Sequence, residues 1–301
     1  MKNLKKSTII LSILSFLTLF TSANADIKVV ASIKPIHSLA SYLMDGIAKP
    51  DLIVDGYASP HGFALKPSHA KMLQNADIVF WVGEDLENFL EKPLSSIAKK
   101  AEKIELLDVK GLNKLKFRER NIFDDHDGHE GHNHGEFDPH IWLDPINAKV
   151  ILFEMSKHLI ENDPSNETAY RANLSKAYKE IDKLTKDVTA ELNESTASIV
   201  FHDAYQYFEK RFNVNILGAF TVNTDVLPGA EQLSEIREVI EHDKVACVFS
   251  EPQFNPDIIK AVAKDMNIKT GIVDPLGATL NPGKTLYFDL IKNMSKSFNG
   301  C

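Results

Sequence analysis

The sequence predicts an α/β protein of two lobes, each a mainly parallel sheet flanked by helices, joined by a long rigid helix, with a metal site in the interlobe cleft. Three observations predict it. Short apolar runs alternate with helical stretches in both halves of the chain, one long amphipathic stretch separates the halves, and three histidines stand at or near the ends of apolar runs.

The chain opens on an export signal. Lys2, Lys5 and Lys6 precede an apolar stretch from Thr8 to Leu19, and Ala23, Asn24 and Ala25 form the small, polar, small pattern of a signal peptidase site. Cleavage after Ala25 is expected. The stretch is shorter than the about 20 residues of a bilayer span, and no cysteine stands at the cleavage site to take a lipid anchor. The expected compartment is therefore a periplasm. Loss of the three signal lysines takes the net charge from −8 to −11, which excludes nucleic acid as a partner class. About 275 residues remain, more than one core comfortably organises, so two lobes are expected.

In the first half, DIKVVASI, DLIVDGY, DIVFWVG and KIELLD read as strands, and HSLASYLMDGIA and PSHAKMLQNA as helices between them. From Asp163 onward, Tyr170, Leu174, Ala177, Ile181, Leu184, Val188 and Leu192 recur at spacings of three and four. This is an amphipathic helix of about seven turns at about 3.6 residues per turn, with Pro164 suited to its first turn. SIVFHD, VNILGAF, KVACVFSE and KTGIVDP resume the strands, with EQLSEIREVIEH and NPDIIKAVAKDM as helices. The boundaries follow: signal peptide 1–25, N-terminal lobe 26–162, linking helix 163–194 and C-terminal lobe 195–301.

The chain has two cysteines, Cys247 in a strand and Cys301 at its end. In an oxidising compartment an intramolecular disulfide is the favoured reading, the alternative being that Cys301 pairs with nothing.

His61 lies in SPHGFALKPS, His140 in DPHIWLDP and His202 in IVFHDAYQYF. Ligands of open parallel sheets bind beyond the carboxyl ends of strands. His202 directly follows a strand, as does Asp274, and His61 follows a strand and a turn. A cleft between the lobes would bring His61, His140, His202 and Asp274 together. Taken alone, a histidine beside an apolar run is more often a hydrogen-bonded structural residue than a ligand. His37, His69, His158 and His242 are read in that way, as structural or surface residues. A second signal is the run DDHDGHEGHNHGE over 124–136, where His126, His129, His132 and His134 alternate with carboxylates and glycines. Such a run has no means of burying itself. Weak, exchangeable zinc capture is its expected role, against a tolerated insertion that binds metal incidentally.

GATLNPGKT over 277–285 imitates a phosphate-binding loop, but five residues separate its glycines where the motif needs four. It is expected to be a surface turn.

SPHGFALKPS, the acidic and histidine-rich insertion, DPHIWLDP, FHDAYQYFEKRF, AEQLSEI, EPQF and DPLG together resemble the periplasmic zinc-binding proteins of high-affinity zinc ABC importers. These belong to the metal-binding receptors that feed zinc and manganese permeases, and the resemblance covers essentially the whole mature chain. It implies two α/β lobes bridged by a rigid helix with metal buried between them, and His61, His140 and His202 as ligands with Asp274 as a possible fourth. It also implies a Cys247–Cys301 bridge. The implied partners are the zinc ion, carried as transported ligand (Zn2+), and a membrane permease with its cytoplasmic ATPase, the protein acting as a monomer. Some zinc relatives carry an acidic residue just before the first histidine. Here that residue is Pro60, which leaves Asp274 or a water to complete the shell.

Neutral imidazoles suit zinc, whereas manganese favours carboxylate and water oxygen. Manganese receptors of the resembled family tend to carry a carboxylate where this chain has His202, so zinc is expected over manganese or another divalent metal. The alternative from another class is a zinc hydrolase, since three histidines with an open position also describe catalytic zinc. Against it, the chain has no HExxH, and Glu251 is only loosely placed as a general base. No enzymatic activity is expected.

Overall fold

The computed structural model describes residues 26–301 apart from 119, 124–135, 193–195, 223 and 225. The expected signal peptide and the insertion histidines His126, His129, His132 and His134 lie outside the described residues. The N-terminal lobe runs β1 (Val29–Ile33), α1 (Lys34–Leu43), β2 (Asp51–Val54), α2 (Pro67–Asn75), β3 (Ile78–Trp81), α3 (Glu84–Ser96) and β4 (Glu102–Glu105). Two long helices follow, α4 (Pro145–Asn162) and α5 (Glu167–Glu191). The C-terminal lobe runs β5 (Ser198–His202), α6 (Gln206–Phe212), β6 (Ile216–Thr221), α7 (Ala230–His242), β7 (Cys247–Ser250), α8 (Asp257–Met266), β8 (Lys269–Ile272) and α9 (Leu286–Asn299). No described helix is long and apolar enough to cross a membrane.

Each expected run forms a strand, and the two sheets have one topology, β2-β1-β3-β4 and β6-β5-β7-β8, with every pairing parallel. In each sheet the chain steps to one side of its first strand and then crosses to the other. The carboxyl ends of β1 and β3, and of β5 and β7, therefore flank the crevices where open sheets receive ligands. Both crevices hold a buried glutamate, Glu87 in the first and Glu251 in the second.

The long helix lies between the lobes as expected, with Tyr170, Ala177, Ile181, Leu184 and Val188 buried along one stripe. Pro164 falls in a short 3-10 turn, Pro164–Asn166, rather than in the helix itself. The helix is also not alone. It packs against α4 and is flanked by α1 and α9, so the C-terminal helix returns to the N-terminal side of the molecule. One apolar core consequently runs from β1 and β3 through α4 and α5 to Val200, Tyr205, Phe249 and Leu290, while a second sits beneath α7 and α8. Alternation explains the division, since Ile199 and Phe201 face the second core and Val200 the first.

Polar ties reinforce the shared core. Asp144 caps α4 by accepting from the Ile146 N–H at 2.8 Å and takes both arms of Arg211 from α6 at 2.7 Å. Trp142 Nε1 donates to the Pro275 carbonyl at 2.9 Å, and the Tyr287 hydroxyl donates to the Trp142 carbonyl at 2.9 Å. The buried Lys34 ammonium donates across the cleft to the carbonyls of Ala278 at 3.0 Å and Leu280 at 2.7 Å. Cys247 and Cys301 form a disulfide, with Cα atoms 5.9 Å apart, that pins the end of the chain to β7. The expected surface turn at 277–285 reaches the surface from Thr279 onward, whereas Gly277 and Ala278 are buried, their N–H groups bonded to Asp274 and the Ala278 carbonyl to Lys34.

Glu87 Oε2 accepts from the N–H groups of Val82 at 2.7 Å and Gly83 at 3.2 Å, closing the turn out of β3. Burial raises its pKa to about 7, against the opposing pull of Ser32 and these N–H groups. The unfolded chain titrates near the ordinary value of 4.5, so the native state takes up a proton between those values. This contribution is complete below pH 4.5 and is lost as pH rises through about 7, a swing on the order of 3 kcal/mol. Glu87→Gln is neutral throughout. Denaturant midpoints between pH 5 and pH 8 are expected to fall further for the native protein than for Glu87→Gln, and parallel curves would contradict this.

Candidate metal centre

Three loops and strand ends build the site. His61 lies on the loop after β2, His140 immediately precedes the short 3-10 turn Ile141–Leu143, and His202 ends β5. Their ligand nitrogens all lie within 4.8 Å of one another, with His140 Nε2 3.5 Å from His202 Nε2. Tetrahedral zinc with Zn–N bonds of about 2.0–2.1 Å separates its nitrogens by about 3.3–3.4 Å, close to the spacing of the His140 and His202 pair. His61 Nε2 is buried, and no described residue hydrogen-bonds to it.

The other edges of two rings are held by acids. His140 Nδ1 lies 2.7 Å from Asp138 Oδ1, and His202 Nδ1 lies 2.7 Å from Glu251 Oε1. With the proton on Nδ1, each ring turns its Nε2 lone pair to the common point. Asp138 also accepts from the His140 backbone N–H at 2.9 Å, and Glu251 from that of His202 at 3.2 Å, so each acid fixes backbone and ring together. Glu251 follows β7 directly and reaches His202 at the end of β5 across the crevice between them.

Burial dominates the electrostatics. It pushes His61 and His140 well below the ordinary imidazole value, an effect the neighbouring histidines reinforce. Burial also pulls on His202, but the Glu251 carboxylate outweighs it and holds that imidazole above the ordinary value. Asp138 is raised to about 7 by burial, against the pull of the His140 backbone N–H and of Arg118. Three converging imidazoles with buried acids behind two of them are a donor set that suits a divalent cation such as zinc. The rings line a cavity of about 10 Å3 walled by Leu86, Trp142, Phe254, Pro275 and Leu276. That volume admits one ion or one water.

Asp274 does not join the cluster. Its Oδ1 accepts from Gln253 Nε2 at 2.8 Å and from the N–H groups of Leu276 and Gly277 at 3.0 Å each, and its Oδ2 from that of Ala278 at 2.6 Å. A strand-end aspartate followed by Pro-Leu-Gly closes its own turn, which occupies the carboxylate that sequence reasoning offered to the metal. His37, His69, His158 and His242 also stand outside the cluster. Glu102, His158 and Glu161 bring ligand types together, but both His158 nitrogens are engaged by acids, Glu102 at 2.8 Å and Glu154 at 3.0 Å. That group ties α4 to β4. Sequence reasoning missed Asp138, whose signal is its place two residues before His140, and met Glu251 only as a loosely placed base.

Residues 29–301 match the family described as zinc-uptake complex component A, periplasmic. The chain belongs to this family. Within it, the chain is 41% identical over 304 residues to the high-affinity zinc uptake system protein ZnuA of Brucella abortus (strain 2308), covering 91% of each. It is 35% identical over 296 residues to the protein of that name from Yersinia pestis, covering 92% of each. Among solved structures, the periplasmic zinc binding protein TroA from Treponema pallidum superposes with a TM-score of 0.79 at 16% identity, over 92% of this chain and 99% of that one. At that identity the likeness establishes the fold alone. The zinc-uptake family is one of solute-binding receptors rather than enzymes.

Glu251→Gln retains an oxygen to accept the His202 Nδ1 proton but removes the charge. Zinc affinity is expected to fall about tenfold, and Glu251→Ala, which frees the ring, is expected to lose more. Chelator competition measures both, and unchanged affinity in the alanine variant would contradict the assignment.

Proposed function

We infer that the protein is a periplasmic receptor that captures zinc with high affinity and delivers it to an ABC permease for uptake. Membership of the zinc-uptake family supports this, and one observation carries it to particular residues. Three imidazole rings converge in a small cavity, two of them aimed by buried carboxylates. His61, His140 and His202 are the proposed ligands, with the fourth position taken by a water, since the Asp274 oxygens already accept four hydrogen bonds. A nitrogen-rich set favours zinc over manganese.

The site acts by capture. The two lobes contribute ligands to one ion, so binding stitches across the cleft. Export with cleavage after Ala25, a monomeric state and hand-over to a permease driven by a cytoplasmic ATPase complete the reading. Protons compete with the metal because each imidazole must be neutral to bind. His61 and His140 stay neutral well below the ordinary imidazole value, so protons compete first for His202, held above it, and zinc affinity falls as pH falls through that raised range.

A chelator-competition titration of the mature protein lacking residues 124–136 is expected to retain one tight zinc site with little response to manganese. In the same background His202→Ala is expected to lose more than the roughly 10–100-fold that loss of an outer-shell partner costs. Tight binding that vanished with the insertion, or that survived His202→Ala, would overturn the reading.

A further inference from the structure

The stretches 115–118 and 120–123 leave the N-terminal lobe and lie against the C-terminal one. Ile122 bridges antiparallel to Gly218 of β6, Phe123 N–H donates to the Leu217 carbonyl at 2.9 Å, and Ala219 N–H donates to the Asn121 carbonyl at 2.8 Å. Asn121 Nδ2 adds a bond to the Phe220 carbonyl at 2.6 Å. This docking requires glycine at 218, because a Cβ there would stand 2.5 Å from the Asn121 oxygen. Arg118, in the same segment, grips Asp203 with two arms, at 2.9 Å and 2.6 Å, and Glu209 with a third at 2.9 Å, while its guanidinium stacks 3.6 Å from the Phe123 ring. The other edge of the segment pairs back through Lys116 and Phe137, and its Leu115 carbonyl accepts from Asp138 N–H at 2.9 Å.

Taking His202 as a zinc ligand, as proposed above, we propose that this segment is a strap that positions His202, with Arg118 as its positioning residue, and that it governs how fast zinc leaves. Asp203 is bonded directly to His202, and its side chain is only 2% exposed. A carboxylate so buried needs its ion partner. Without Arg118 the Asp203 side chain loses both of the bonds that hold it in place, and the turn at 202–204, closed by Ala204 N–H donating to the His202 carbonyl at 2.9 Å, is released with it. The ring nitrogen of His202 rides on that turn. The strap joins this support to Asp138, which holds His140, so one short backbone segment braces the partners of two ligands from opposite lobes. Two further bonds keep it there: the Tyr207 hydroxyl donates to the Asp138 carbonyl at 2.8 Å and accepts from the Leu115 N–H at 3.1 Å.

The test is zinc release from the full mature chain, followed by stopped-flow mixing with excess chelator, alongside melting of the zinc-free protein. Arg118→Met and Gly218→Val are each expected to release zinc about tenfold faster, the lower end of what outer-shell losses cost. Arg118→Lys, which keeps the charge without the fork, should fall between them and the native protein. A merely structural role would lower the melting temperature and leave release from the folded protein unchanged. Release within twofold of native in Arg118→Met, with His202→Ala still abolishing tight binding, would overturn the strap alone; intact binding in His202→Ala would instead overturn the site beneath it. Should Gly218→Val fail to fold, the two Arg118 variants decide.

Discussion

Everything in this structure is arranged around three imidazole rings whose nitrogens converge on one point. His140 Nε2 and His202 Nε2 stand 3.5 Å apart, and the acids behind these two rings keep them from rotating away. Asp138 and Glu251 are themselves buried at 1% and 3% exposure, so their charge has no solvent to dissipate into. The combination is unfavourable in isolation and becomes favourable when a divalent cation enters, which is how a binding site stores specificity in its empty state.

Holding such a centre demands a frame that does not relax. The twin sheets supply two crevices facing each other, and the C-terminal one sets His202 beside Glu251 by strand order alone. Because α9 folds back on α5 and α1, the apolar core continues from one lobe into the other. Lys34, Trp142, Arg211 and Tyr287 add directional bonds across the same boundary. Wide hinge opening would break all of these together, so capture and release fit small displacements of ligand-bearing loops better than separation of rigid halves.

Much of this was legible in the sequence. Six of the eight described strands are short apolar runs bounded by polar or turn residues, the edge strands β4 and β8 being largely polar, and the stripe along α5 has an unambiguous helical period. The three histidines stood out because each is a polar break at the end of a strand or beside an apolar cluster. Other features were hidden for physical reasons. Helix α4 is buried on several faces, which blurs its period, whereas α9 does carry a readable one in Leu286, Leu290, Ile291, Met294 and Phe298. Glu251 stands 49 residues from its ring partner, and only the β5–β7 pairing brings them together. Asp274 illustrates the opposite case: strand-end logic puts it at the proper edge, but local turn chemistry claims its oxygens first. Arg118 left no sequence signal, since its partners Asp203 and Glu209 are set by how the chain crosses between lobes.

The central claim is that one metal ion sits at the meeting point of His61, His140 and His202. Anomalous diffraction at the zinc edge from crystals of the zinc-loaded protein tests it directly. The account predicts a dominant peak about 2.0–2.1 Å from the Nε2 atoms of all three. A dominant peak at the 124–136 insertion, or between Glu102, His158 and Glu161, with the three-histidine cavity holding no metal, would contradict it.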